Sequence, residues 1–134
     1  MNNANLVNAL REAATARGLS FRTADGDRIA TPAPHLPAAL LTPPKLNTVD
    51  GRRHGRAEYD ISLRLLDDAA RLPEQQRAEC RHRLEKLALE IFAALSDEEF
   101  VIAVRKLAIV PRPFSEMGVG EMSAVASARV ITCF

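Results

Sequence analysis

Residues 57–66 read "AEYDISLRLL". Tyr59, Ile61, Leu63 and Leu65 alternate with Glu58, Asp60, Ser62 and Arg64. Successive side chains of a strand point to opposite faces, so a period of two predicts a strand with one buried and one wet side. One-sided burial suits an antiparallel sheet, because parallel strands are covered on both faces. What covers the apolar side then decides the fold.

The next segment supplies the cover. Pro73 suits the first turn of a helix, where its missing N–H would have been unpaired anyway. Glu74 in that turn complements the helix dipole. Leu84, Leu87, Ala88, Ile91, Phe92 and Leu95 form one stripe at helical spacing, while Arg81, Arg83, Glu85, Lys86 and Glu90 occupy the rest. Burying the five large side chains contributes on the order of 10 kcal/mol before chain entropy is counted. Ser96 and Asp97 hydrogen-bond locally and end the run. The stripe and the Tyr59–Leu65 alternation are expected to bury against each other.

Working back toward the N-terminus, Leu6, Val7, Leu10, Ala13 and Ala14 share one face of a helix over 5–17. An Asn among Asn2, Asn3 and Asn5 caps its start, and Gly18 stops it. Leu19–Thr23 and Arg28–Ala30 read as two short strands around the Asp25–Gly26 turn. Pro32, Pro34 and Pro37 exclude a regular central strand. That leaves His35–Leu41 as an irregular or edge strand stopped by Pro43 and Pro44. It is expected to make a long hairpin with the 59–65 strand, with a basic loop at about 43–57.

Beyond the second helix, Phe100–Val110 is rich in β-branched residues and reads as a strand ending at Pro111. Met122–Phe134 reads as a last strand, with room for helical turns at 124–128. The order is helix, hairpin, long hairpin, helix, two strands. It predicts a single α+β domain over 1–134, a mostly antiparallel sheet with two helices packed on one face.

Composition excludes several classes. A chain of 134 residues is the size of one domain. Eighteen basic and 17 acidic side chains leave a net charge of +1, against the basic excess of a general nucleic-acid binder. Aromatics are 4%, with no Trp, so few rings are available to stack on bases. No apolar run is long enough to span a bilayer. Met1–Asn5 lacks the basic start and apolar stretch of a signal peptide, and a cytoplasmic protein is expected. Cys80 and Cys133 are too few for a disulfide framework and read as free thiols.

No linear motif states a chemistry. His35, His54 and His82 are scattered, and Cys80 and His82 lie two apart on a helix, pointing in different directions. No Gly-x-Ser-x-Gly elbow is present. Asp67–Asp68 and Asp97–Glu98–Glu99 sit at element ends, where carboxylates cap and turn. Gly118-Val119-Gly120 is followed by Ser123 where a dinucleotide fingerprint needs its third Gly. Catalytic residues, cofactors and metals are therefore not expected. What is left is Lys45, Arg52, Arg53 and Arg56, a basic cluster in a loop. It has three readings: a solvated bend, a contact with an acidic protein face, or a contact with phosphate.

One family has this order of elements. An N-terminal helix precedes a strand pair and "LPAALLTPP"; a loop leads to "AEYDISLRLL" and the helix "RLEKLALEIFAAL". A strand then ends in "PRPF", and "SARVITCF" closes the chain. Over nearly its whole length the chain resembles the tail-terminator (tail-completion, minor tail) proteins of tailed bacteriophages and prophages. Those are small α+β subunits that close into hexameric rings at the end of the tail tube. The resemblance implies a non-enzymatic, structural role in virion assembly, with subunits meeting through sheet edges and loops. Homo-oligomers, other tail or head-completion proteins, and DNA passing through a ring are the partners it implies. The setting would be the cytoplasm or the virion. The alternative is a small ligand-binding or regulatory α+β domain, dimeric through its sheet edges.

Overall fold

The computed structural model describes residues 2–23, 35–51, 55–69, 72–112 and 121–133. These form two helices and six strands: α1 (Asn2–Thr15), β1 (Ser20–Thr23), β2 (Ala38–Leu41), β3 (Lys45–Asp50), β4 (Arg56–Asp68), α2 (Glu74–Ser96), β5 (Val101–Arg112) and β6 (Glu121–Cys133). The class is α+β. Among the described residues no helix is long and apolar enough to cross a membrane.

The sheet is mixed, in the order β1-β2-β4-β6-β5, with β3 also paired to β4. β4 and β6 run antiparallel over their full lengths, from Arg56↔Cys133 to Asp68↔Glu121. β5 is antiparallel to β6, while β2 and β3 are both antiparallel to β4. β2 takes Leu63–Leu66 and β3 takes the other end, opposite Arg56–Asp60. The long hairpin thus has a broken return strand, interrupted at Thr42–Pro44 where proline removes backbone donors.

Several expectations change. The sequence between the prolines and the basic cluster carries strand β3 rather than only a loop; its turn-forming Asn47, Thr48 and Asp50 mask the strand signal. β2 is an interior strand, buried throughout, because the prolines fall outside its four residues. β1 pairs parallel with β2, and the 28–30 partner expected for it lies outside the described residues. The last strand has no helical turns at 124–128; its small residues are there to let α2 approach. β5 continues through Pro111, as an edge strand permits.

The odd-numbered residues of β4 (Ala57, Tyr59, Ile61, Leu63, Leu65) share one core with Leu6, Leu10 and Ala14 of α1 and with Leu84, Ala88, Ile91, Phe92 and Leu95 of α2. Ala124, Ala126, Ala128 and Val130 of β6 complete it. We call this side of the sheet the odd face and the other the even face. Leu87 is only partly buried, but the rest of the α2 stripe is fully covered.

Helix ends follow simple chemistry. Gly18 has φ 79°, and the Gly18 and Leu19 N–H groups donate to the Thr15 and Ala14 carbonyls at 3.1 Å, a Schellman stop. Asn2 does not cap α1. Its Nδ2 donates to Thr132 Oγ1 at 2.8 Å and to the Cys133 carbonyl at 2.9 Å, tying the helix start to the end of β6. Arg17 Nε holds Glu90 at 3.3 Å, linking the two helices.

Candidate functional site

The sequence-predicted basic cluster is divided by the sheet. Lys45 opens β3 opposite Asp60, and Arg56 opens β4 opposite Asp50. Both are exposed. Lys45 and Arg56 are thus four strand positions apart, roughly 13 Å at the usual rise. Arg52 and Arg53 lie outside the described residues. Arg56 therefore belongs to the hairpin tip, and Lys45 to a different neighbourhood in mid-sheet.

That neighbourhood is a depression of about 340 Å³ on the even face. Register explains it. Reading across the sheet, Lys45, Asp60, Arg129 and Arg105 form one row. The adjoining row is Ser62, Ser127 and Ala108. Beside it, Thr42 donates its N–H to the Ser62 carbonyl at 3.0 Å, just where the β2–β3 edge is broken. Short side chains next to long charged ones leave a dip in the surface.

On the far side, β5 bulges between Arg105 and Ala108. Lys106 stands in that bulge with φ 55°, a left-handed conformation that L-residues with a Cβ adopt at a cost. Bulges re-aim side chains, and this one brings Lys106 to the depression. Lys45 and Lys106 thus flank it from strands three spacings apart, about 14 Å between backbones.

The electrostatics are uneven. Arg129 Nε donates to Asp60 Oδ1 at 3.4 Å. The Asp60 carboxyl is held below its ordinary value, chiefly by a hydrogen bond from the Asn47 side chain. Partial desolvation opposes this, while Arg129 and Lys45 lower it further. Asn47 sits at the β3 irregularity between Leu46 and Thr48.

A second feature lies at the sheet's flanks. Among the described residues β5 pairs only with β6, and β3 only with β4. Five large apolar side chains among the described residues are exposed, and four are on these strands: Leu46 and Val49 on β3, Ile102 and Val110 on β5. The fifth is Leu89 on α2. Scattered exposed apolar residues are ordinary, but four of five on the two flanking strands among the described residues make a cluster.

The other candidates are structural. Asp67 accepts from Arg83 and also from the Asp68 N–H at 2.8 Å, closing the β4–α2 corner. Cys80 is buried, and that burial pushes its thiol up, with nearby Asp67 adding to the effect. His82 beside it is exposed. Among the described residues no group of three or more His, Cys, Asp or Glu stands close enough to hold a metal. Gly118–Gly120 lies outside the described residues.

The sequence reading missed the depression because its residues come from three strands. Two signals were available. Arg129 is the sole cation within "SAVASARVITC", and Lys106 follows Arg105 within an otherwise apolar run. Charges in a strand of small or β-branched residues mark a side that is not core. No protein-family model and no curated protein matches this chain.

Proposed function

We propose that this chain is a non-enzymatic assembly subunit that joins copies of itself edge to edge, in the manner of a tail-terminator ring protein of tailed phages. One observation carries the reading: among the described residues, four of the five exposed large apolar side chains sit on the flanking strands β3 and β5. Those strands flank opposite sides of the sheet. A contact between β5 of one copy and β3 of the next joins unlike surfaces, the kind of contact that closes into a ring.

Direction supports the pairing. β3 and β6 run one way and β4 and β5 the other. A rotation about an axis along the strands preserves direction, so β5 would meet the neighbour's β3 antiparallel, the more favourable ladder. Ile102 and Val110 would then lie along the same junction as Leu46 and Val49, with Val110 on the even face and Leu46 and Val49 on the odd. The bulges in both strands, with Lys106 and Pro111 in β5, make each edge a poor template for unrelated strands. Both helices, packed on the odd face of a mostly antiparallel sheet, would stay clear of the junction. Arg56, at the β3–β4 end of the sheet, would face a neighbouring subunit, other tail or head-completion proteins, or DNA in the lumen.

The test is mass by light scattering over a hundredfold range of concentration. Assembly is expected to appear as a discrete multiple of 14.7 kDa. Ile102→Lys with Val110→Lys should return it to the monomer with an unchanged unfolding midpoint, since both positions are exposed. A chain that stays monomeric throughout, or an oligomer indifferent to the double substitution, would overturn the reading.

A further inference from the structure

The even-face depression contains more positive charge than the fold needs. Three cations line it, Lys45, Lys106 and Arg129, against one carboxylate, Asp60, which leaves a surplus of two among the described lining residues. Asp60 is already engaged, by Arg129 and by the Asn47 side chain. Its acceptor capacity is therefore largely spent. Each lysine ammonium carries three donors, and the Ser62 and Ser127 hydroxyls on the floor add two more. The cluster is rich in donors and poor in acceptors.

We propose that this depression binds a compact dianion, of the phosphate-monoester or dicarboxylate class. A surplus of two positive charges matches the charge of such a group at neutral pH. The volume, about 340 Å³, lies in the range of small-ligand sites. The arrangement fits an oxyanion lowered onto the serine row, with Lys45 approaching from the β3 side and Lys106 from the β5 bulge. Arg129 stays with Asp60 and holds the wall. A lysine forced into a left-handed bulge has a use if its ammonium must reach inward.

The same face argues against a polyanion. Beyond the depression the even face is of mixed sign: Arg105, Arg64 and Arg56 share it with Glu58, and Asp68 and Glu121 stand opposite one another at the far end. A nucleic-acid backbone crossing this face would meet those carboxylates within one or two phosphate spacings. A small dianion does not leave the favourable patch.

The experiment is an NMR titration with inorganic phosphate at fixed ionic strength, chloride replacing it in the reference, and a parallel arm with succinate. Saturable shifts are expected at Ser62, Ser127, Lys106 and Arg129. Lys45→Ala with Lys106→Ala should raise the dissociation constant at least tenfold, while Lys86→Ala, an exposed cation on α2, should leave it unchanged. Phosphate affinity should fall as pH drops through the ion's second ionisation, where the dianion takes up a proton. Saturation by phosphate alone assigns the phosphate class, and by succinate alone the dicarboxylate class. Shifts that never saturate, equal weakening by Lys86→Ala, or tighter binding of duplex oligonucleotides with increasing length would each overturn the proposal. Spectral dispersion reports folding of every variant in the same data. Binding is read whatever the mass of the particle, so this inference and the edge-to-edge reading fail separately.

Discussion

The two faces of β4 share one backbone and have opposite constraints. On the odd face Ile61, Leu63 and Leu65 are all but inaccessible to solvent within the core they share with α2. On the even face Glu58, Asp60, Ser62 and Arg64 are half-buried and polar. The odd face is close-packed, so a change of one methylene is felt there. The even face has room and unspent charge. The larger core lies on the odd side of the strand; on the even side a smaller one, Ala38, Leu40 and Leu66, closes the β2 end and the rest is polar.

The strongest way to break that contrast is to truncate adjacent residues on opposite faces. Leu63→Ala removes a fully buried side chain at the sheet's centre and should cost about 2–5 kcal/mol, transfer plus cavity. Ser62→Ala, one residue away, should stay within about 0.5 kcal/mol. Urea unfolding midpoints with equal slopes decide the matter. Comparable losses at both positions would mean the even face is packed core.

A smaller effect tests a polar link on the covered side. Thr132 is fully buried; its Oγ1 donates to the Ala57 carbonyl at 3.0 Å and accepts from Asn2 Nδ2. Thr132→Val keeps the volume and deletes the hydroxyl. Asn2 retains the Cys133 carbonyl, so the cost is that of one under-satisfied buried group, about 1–2 kcal/mol. Hydrogen exchange in the first turn of α1 should quicken more than in α2. Uniform quickening would show that Asn2 is no anchor.

How much of this was legible in sequence follows from the same contrast. Burial imposes a period, so the Tyr59–Leu65 alternation and the Leu84–Leu95 stripe could be read directly, and the two do share one core. Gly18 was legible because only a left-handed residue ends a helix that way. β3 was not, since none of its side chains is buried and an exposed strand imprints no alternation. The parallel β1–β2 pair was not, because pairing direction leaves no local mark on four residues. The depression was least legible: its lining is brought together by cross-strand register, and no spacing along the chain records that Lys45, Asp60 and Arg129 stand in one row.

The smallest effect sharpens the contrast from the even face. Asp60 has a folded-state carboxyl held below its ordinary 3.8, mainly by Asn47, with Arg129 and Lys45 assisting. A depressed carboxylate contributes stability that is present above its unfolded value and lost as pH falls through the lower folded one. Asp60→Asn should therefore lower the thermal midpoint slightly at pH 7, and the gap should close as the pH falls below 3.8. The residue is largely solvated, so salt should shrink the gap as well. The same substitution frees Arg129 and raises the positive surplus of the depression, so phosphate should bind Asp60→Asn more tightly than the native chain. A variant that is slightly less stable and yet the better anion binder would show that Asp60 limits the site's charge while contributing modestly to the fold. Tighter folding with weaker phosphate binding would show the reverse.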